Sequence, residues 1–424
     1  MKKLISLCVL LLSLNTYQSA FATNATDKLD DDIQRLTNSF LYSAQNNKVP
    51  VTAVEVSVLL PNETTPRDFV AGVKQKDGKA TTTQNLVQYG SITKEYTASL
   101  ILQLVNEKEI SLQTPLNKIF PEKFSKSRWP QQWSEVTPEQ LLNMTSGITT
   151  YSMPKIINTI NPYYTKYSLD QLASMAAKYQ MNYGCNREDL CFKPGEDWGY
   201  SNTNYIIAGM IIEKYFKKPY SNMLEKFIIK PLQDKYNVPV YYAMQYNAYL
   251  YRNMLHGYLP EETSDELASP LFSPNQDVTV VPLDFVGPAG GLTGTTHALT
   301  LLTRAWFDDE IFPGYDQFQK VGLVLPAKKG EKVSADEIDS KCLAKIKGCY
   351  GLGVGVVYNE KYGQIWMYTG NYLGYATTYA YFTKTKTIIA ISQNAGATHQ
   401  YHQVSNHTID TIYEEILKYQ KTNS

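Results

Sequence analysis

No stretch of this 424-residue chain is apolar for long enough to cross a bilayer. The longest candidate, Leu4 to Leu14, is too short. Net charge is lacking too: 40 basic residues face 40 acidic ones. That balance argues against nucleic acid or an anionic membrane surface as a partner. Cysteine is scarce, five in all, and none falls in the Cys-x2-Cys spacing of a structural zinc site. The Gly-x-Ser-x-Gly elbow does not occur, which leaves an α/β-hydrolase triad unsupported. There is no internal repeat and no low-complexity tract.

What is present begins with an export signature. Lys2 and Lys3, the apolar run Leu4 to Leu14 and Ala20-Phe21-Ala22 follow the order of a secretory signal peptide, residues 1–22. Cys8 lies inside the apolar run, not after it, so it is not read as a lipid-attachment site. The expectation is a periplasmic or secreted protein with no stable membrane anchor. Cleavage after Ala22 leaves 402 residues and, without Lys2 and Lys3, 38 basic against 40 acidic, a net of −2. Cys185, Cys191, Cys342 and Cys349 remain. An even number in an exported chain points to disulfides, with three possible connectivities. Close spacing favours the local pairs Cys185–Cys191 and Cys342–Cys349. A zinc site is the rival reading, weakened because no histidine lies close in sequence to either pair.

Periodicity predicts an α/β (α+β) protein. A one-faced helix is expected over 23 to about 48, with Ile33, Leu36, Phe40 and Leu41. Val54, Val56 and Val58 alternate with Ala53, Glu55 and Ser57 as in a half-buried strand. Phe69 to Val73 can pair back onto it. Asn85 to Tyr89 reads as a strand and Tyr96 to Val105 as a buried helix. Capping boxes at Thr137 to Gln140 and Ser168 to Gln171 start helices in the middle of the chain. Four strands then follow: Gly353 to Tyr358, Gln364 to Tyr368, Tyr375 to Phe382 and Thr387 to Gln393. A last helix carries Ile409, Ile412, Tyr413, Ile416 and Leu417. Strands at both ends predict one antiparallel sheet flanked by helices, from 23–115 and 286–424, with a mostly helical domain at 116–285 between them.

Three stretches carry chemistry. In Gly90-Ser91-Ile92-Thr93-Lys94 a serine opens a helix with a lysine three residues on, on the same face. Helix-start N–H groups lack partners and favour negative charge, which suits a nucleophile that becomes an oxyanion or acyl-enzyme. The spacing recurs at Ser152 and Lys155, without a strand before or an apolar helix after. Spacing alone therefore does not single out Ser91; the strand–turn–helix setting does. In Pro194 to Tyr205, Asn202 or Thr203 could simply cap a helix. Alternatively Tyr200 and Asn202 edge a cleft, since a phenol beside a lysine can exchange a proton with a serine and an amide can grip an amide. In Trp366 to Tyr375, a strand either breaks at Gly370 or forms an edge lining the cleft. His399, His402 and His407 cluster near the last helix; no acidic partner at fixed spacing accompanies them, so they are read as surface or cleft-rim residues and no metal site is assigned.

Together these stretches resemble the serine β-lactamases and penicillin-recognising D-alanyl-D-alanine peptidases, in particular the class C-like branch, which includes carboxylesterases and D-amino-acid peptidases. Five landmarks fall in order: Tyr89 to Lys94, Leu141 to Ile148, Phe192 to Asn202, Gly290-Gly291-Leu292 and Tyr350 to Gly353. The resemblance implies a β-lactamase/transpeptidase-like fold. It implies that Ser91 attacks a carbonyl, that Lys94 and Tyr200 share the base and acid work, and that Asn202 holds a substrate amide. Tyr368, Thr369, Gly370 and Asn371 would line the substrate. The backbone N–H groups of Ser91 and Asn371 would form the oxyanion hole. No metal or organic cofactor is implied.

Two positions depart from the family pattern. Tyr368 stands where lysine or histidine usually supplies positive charge for a substrate carboxylate. A tyrosine offers a neutral hydroxyl. This weakens the case for a β-lactamase or a strict carboxypeptidase and leaves room for an esterase, an amidase or an internal peptidase. Met144 replaces a common histidine, with a packing consequence expected. The expected function is an exported, D-alanyl-D-alanine peptidase-like serine hydrolase acting on cell-wall peptide or a related amide or ester. The alternatives are a class C-like β-lactamase, a carboxylesterase, or a non-catalytic sensor or binding module on the same fold. The tyrosine-rich stretch Tyr241 to Tyr258 is expected at the cleft. A Cys185–Cys191 bridge would pin the loop bearing Tyr200 and Asn202.

Overall fold

Strand β1, Ala53–Leu59, is paired along both of its edges in the main sheet. Its valines face one way and Ala53, Glu55 and Ser57 the other, yet all seven residues are buried. The strand is therefore covered on both faces, not half-buried as its alternation predicts. The structure, a computed structural model, describes residues 28–423 apart from 77, 152–166, 184–191, 243–246, 262–271, 282–284, 309, 315–321, 347 and 397. The expected signal peptide, the Ser152 motif, Cys185 and Cys191 lie outside the described residues.

The main sheet has nine strands in the order β2-β1-β12-β11-β10-β9-β8-β6-β7. They are β2 (Arg67–Gly72), β6 (Val324–Leu325), β7 (Glu331–Lys332), β8 (Cys349–Tyr350), β9 (Gly355–Asn359), β10 (Gly363–Tyr372), β11 (Tyr375–Phe382) and β12 (Thr387–Gln393). Every pairing in this sheet is antiparallel, including β1 with β12, where Val56 faces Ile391. The two chain ends thus build one sheet, as expected.

Helix α1 (28–46) and the last helix (His399–Asn423) cover one sheet face, through Ile33 and Phe40 and through Ile412 and Ile416. The opposite face carries α2 (Thr93–Asn106) and the helix Thr296–Phe307, whose buried residues join one continuous core. Both predicted capping boxes form: Thr137 and Gln140, and Ser168 and Gln171, exchange side-chain and backbone bonds.

Several short strands escaped the pattern, although the run Asn85 to Tyr89 does contain one, β3. β4 (Val240–Tyr242) lies inside the stretch expected to be helical and pairs with β5 (Leu292–Gly294), which pairs with β3 (Val87–Gln88). β6 precedes Lys328 and β7 follows it, in a stretch from Lys328 to Lys347 that reads from its charge as a connector. Strands of two or three residues are too short to express a period of two.

Candidate active site

Gly90–Ile92 forms a single 3-10 turn that runs directly into α2. The turn puts Ser91 at the helix mouth and Lys94 one turn on, with Lys94 fully buried. Lys94 Nζ lies 3.0 Å from Ser91 Oγ and donates to the Ala289 carbonyl at 2.8 Å. Tyr200 OH reaches Ser91 Oγ at 2.8 Å. Lys94 Nζ also sits 4.9 Å from the centre of the Tyr200 ring. Three side chains read from two separate motifs, 109 residues apart for Ser91 and Tyr200, therefore meet at one oxygen.

Burial holds the Lys94 ammonium below the ordinary lysine range, while the Tyr200 phenol pulls the other way. The neighbouring Glu95 does not restore positive charge to it. Burial pushes that carboxyl up to about 8, and Tyr379 donates to its Oε2. At neutral pH Glu95 is mostly protonated.

Two landmarks shape the Tyr200 loop. Gly195 N–H donates to the Thr145 carbonyl at 2.8 Å, and Gly199 N–H to the Met144 carbonyl at 2.9 Å. Met144 does more than pack. Its sulfur accepts from Ser201 N–H at 3.3 Å and from Asn204 Nδ2 at 3.4 Å, holding both sides of Asn202. Asn202 begins the helix Asn202–Phe216, half-buried, its backbone N–H donating to Thr150 Oγ1 at 3.3 Å.

The fourth landmark locks the nucleophile turn. Leu292 N–H donates to Thr93 Oγ1 at 3.0 Å, and Tyr89 N–H to the Leu292 carbonyl at 2.9 Å. The Ala289 carbonyl, which fixes the Lys94 amine, was not singled out in the sequence. No local signal marks it, because a backbone acceptor works with any side chain.

Strand β10 approaches from the other side. It does not break at Gly370; it runs on to Tyr372, with Gly370 opposite Thr377. Its pairing with β9 ends at Met367, so beyond that point β10 lacks the β9 neighbour. The nucleophile turn lies against this part. A Cβ on Gly370 would come within 1.7 Å of the Tyr89 carbonyl oxygen and 3.0 Å of Ser91 N. Gly90, at φ +51°, faces Asn371 N at 3.0 Å by the same measure. Only glycine allows two backbones to lie this close. Asn371 is exposed at the cleft.

Along this strand successive side chains alternate between faces. Tyr368 turns to the site side and meets Tyr350 OH at 2.8 Å. Thr369 turns away. Its hydroxyl lies 2.9 Å from Thr378 Oγ1, which meets Tyr401 OH on the last helix. The structure thus gathers Ser91, Lys94, Tyr200, Tyr368, Gly370 and Asn371, but leaves the Thr369 hydroxyl on the opposite face. Burial holds Tyr368 and Tyr350 well above the ordinary phenol range, so both stay neutral.

Cys342 and Cys349 form a disulfide. Cys349 adjoins Tyr350 in β8, so this bridge braces the strand that supports Tyr368. The tyrosine-rich stretch does not line the Ser91 site as a unit. Tyr241, Tyr242 and Tyr249 line a separate cavity of about 770 Å³ with Ser221, Asn222 and Lys226. His402 and His407 are exposed on the last helix.

The Beta-lactamase family model matches residues 55–413. The chain belongs to the Beta-lactamase family. Its fold is that of the β-lactamases and penicillin-binding proteins, a superfamily of serine hydrolases. Among sequence relatives, Protein flp of Staphylococcus aureus (strain MW2) is 30% identical over 149 residues, 35% of this chain and 27% of that protein. Penicillin-binding protein 4* of Bacillus subtilis (strain 168) is 24% identical over 340 residues, 79% of this chain and 64% of that one. The match spans about a quarter of the first relative and under two thirds of the second. The D-amino acid amidase of Ochrobactrum anthropi SV3, solved with L-phenylalanine amide, superposes with a TM-score of 0.69 at 19% identity, covering 93% of this chain and all of that one. That likeness is one of fold.

Proposed function

We propose that this Beta-lactamase family member is an exported serine hydrolase. It forms an acyl-enzyme on Ser91 and acts, like a D-alanyl-D-alanine peptidase, on cell-wall peptide or a related amide or ester. The observation that carries this reading is the double contact at Ser91 Oγ, with Lys94 Nζ at 3.0 Å and Tyr200 OH at 2.8 Å.

A neutral Lys94 amine has two N–H bonds and one lone pair. One N–H goes to the Ala289 carbonyl. The lone pair takes the Ser91 proton as Oγ attacks the substrate carbonyl carbon. The carbonyl π-bond pair moves onto oxygen, which the Ser91 and Asn371 N–H groups receive. Collapse breaks the bond to the leaving nitrogen or oxygen. Tyr200 delivers a proton to that atom and recovers one through Lys94. Water then attacks the ester carbonyl by the reverse route and frees Ser91. Asn202 holds the substrate amide beside this centre. The neutral Tyr368–Tyr350 pair supports an amide, an ester or an internal peptide bond over substrates that present a carboxylate there, β-lactams and a terminal D-alanine alike. Residues 1–22 supply the reading as an exported protein.

A short-chain nitrophenyl ester, a fluorescent penicillin and a D-alanyl-D-alanine peptide test the proposal. Mass spectrometry should find the acyl group on Ser91. Ser91→Ala should lower ester turnover at least about 10³-fold. Turnover surviving in that variant would remove Ser91 from the mechanism. Rapid penicillin hydrolysis would favour a β-lactamase, and ester cleavage alone a carboxylesterase. No acylation by any substrate would favour the non-catalytic module.

A further inference from the structure

Thr97 lies one turn beyond Lys94 on α2 and is fully buried. A threonine inside a helix ordinarily returns its hydroxyl to the carbonyl four residues back. Here that carbonyl, of Thr93, is 3.3 Å from Thr97 Oγ1, while the Pro288 carbonyl is only 2.7 Å away. Tyr220 OH also lies 2.7 Å from Thr97 Oγ1. A carbonyl only accepts, so the single Thr97 proton goes to the nearer one, Pro288, and Tyr220 is the donor in the third contact. Pro288 precedes Ala289, whose carbonyl takes the Lys94 N–H at 2.8 Å. The other side of Pro288 is held by shape. A Cβ on Gly209, in the helix Asn202–Phe216, would come within 2.4 Å of the Pro288 ring. The Gly287–Ala289 turn is thus hooked to α2 by Thr97 and seated on a second helix at Gly209.

We propose that Thr97 and Gly209 are positioning residues for the general base: by holding Pro288 from two sides they place the Ala289 carbonyl, which sets where the Lys94 lone pair points. The inference rests on the acyl-enzyme reading of Ser91 given above. Both residues are buried and act through Lys94. A neutral amine with one N–H tied to Ala289 has two positions left for its lone pair, one of them toward Ser91 Oγ at 3.0 Å. Once the tie is lost the amine turns freely, and the serine proton has no fixed acceptor. The carbonyl has a second effect. It bonds an ammonium more strongly than an amine, so moving it away disfavours the charged form of Lys94 further. The titratable side chains around Lys94 Nζ are Tyr200 and Tyr205, with ring centres 4.9 and 5.6 Å away, and Glu95, next in the chain. All three are kept in the variants below.

The test is the pH profile of Ser91 acylation by a nitrophenyl ester, read from the nitrophenolate released. Thr97→Val keeps the shape of the side chain and removes its hydroxyl. The acylation rate on the alkaline plateau should fall about tenfold, and the rising limb should move to lower pH. Thr97→Ser, which keeps the hydroxyl, should hold both rate and limb near the wild type. Gly209→Ala sets a methyl group against Pro288 in a helix that otherwise gains from alanine, and should reproduce the lower plateau and the shifted limb. A Thr97→Val or Gly209→Ala profile like that of the wild type would overturn the inference and leave the acyl-enzyme standing. So would a serine variant no better than valine. So would a rate that falls while the limb stays in place or climbs toward the ordinary lysine range, as in a site merely opened to water. If Thr97→Val does not fold, the Gly209→Ala profile decides by the same criteria. Failure of the wild type to acylate Ser91 would overturn both readings.

Discussion

Lys94 is the side chain on which the proposed chemistry turns, and its burial carries a consequence for pH. Only the neutral amine accepts the serine proton, so the active form is the deprotonated one. Burial lowers the pKa, which brings that form within reach nearer neutrality. Activity should therefore rise with pH along a limb lying below the ordinary lysine range near 10.5. A pH profile of kcat/KM for a nitrophenyl ester checks this. Lys94→Arg keeps the charge but cannot lose it, and should cost about 10²-fold or more at every pH. A rising limb at the usual lysine pKa, or an active arginine variant, would remove Lys94 as the base. At this scale the sequence was most legible where partners are local. Ser91 and Lys94 are one helical turn apart, and that spacing survives folding unchanged. Met144 was misjudged because its sulfur acts on Ser201 and Asn204, more than 50 residues away. Thr369 was grouped with Tyr368 by motif, although adjacent strand residues face opposite ways.

The crossing of strand β10 with the Gly90–Ile92 turn sets the geometry of the oxyanion site. Gly90→Ala probes it without touching a reacting side chain. Alanine at φ +51° costs about 1–2 kcal/mol, and its Cβ would press on Asn371 N at 3.0 Å. The strand must yield by a few tenths of an ångström, which shifts one of the two N–H donors. The expected result is a kcat about 10- to 100-fold lower, with KM little changed and a melting temperature a few degrees down. Steady-state kinetics and a thermal melt check it. A stable variant with wild-type kcat would show that the Gly90–Asn371 approach does not matter to the reaction. The extent of β10 was hidden in the sequence because glycine reads as a break within a strand pattern. Here the glycine extends the strand, since it lets the Tyr89 carbonyl lie against the backbone. The longer strands β11 and β12 span the residues expected of them, and β9 runs Gly355–Asn359 against an expected Gly353 to Tyr358. Of the two- and three-residue strands only β3 was visible, inside the run Asn85 to Tyr89.

A change from period two to helical starts is what leads one to expect a sheet domain and a helical domain. We propose that this boundary is topological and not energetic. Strand β4 leaves the helical region to pair with β5, which also holds β3 ahead of the nucleophile. One continuous buried cluster contains Leu141, Ile206 and Trp133 from the helical side together with Trp366, Tyr379 and Ala390 from the sheet. Such shared burial means neither part keeps its apolar surface covered without the other. Strand order could not be read from the sequence, because the pairing of β1 with β12 joins residues more than 300 positions apart. That same long-range pairing ties the first strand to the last. The whole molecule should therefore unfold in one transition. The tryptophans report on it from both sides: Trp129 and Trp133 are buried among the helices, Trp306 and Trp366 against the sheet. One variant retaining only the first pair and one retaining only the second, the others replaced by phenylalanine, should give the same denaturant midpoint by fluorescence. Ester turnover and far-ultraviolet circular dichroism should be lost at that midpoint too. A helical-side probe that melts apart from the sheet-side probe would make the boundary an energetic one and place Tyr200 on a unit able to leave Ser91 on its own.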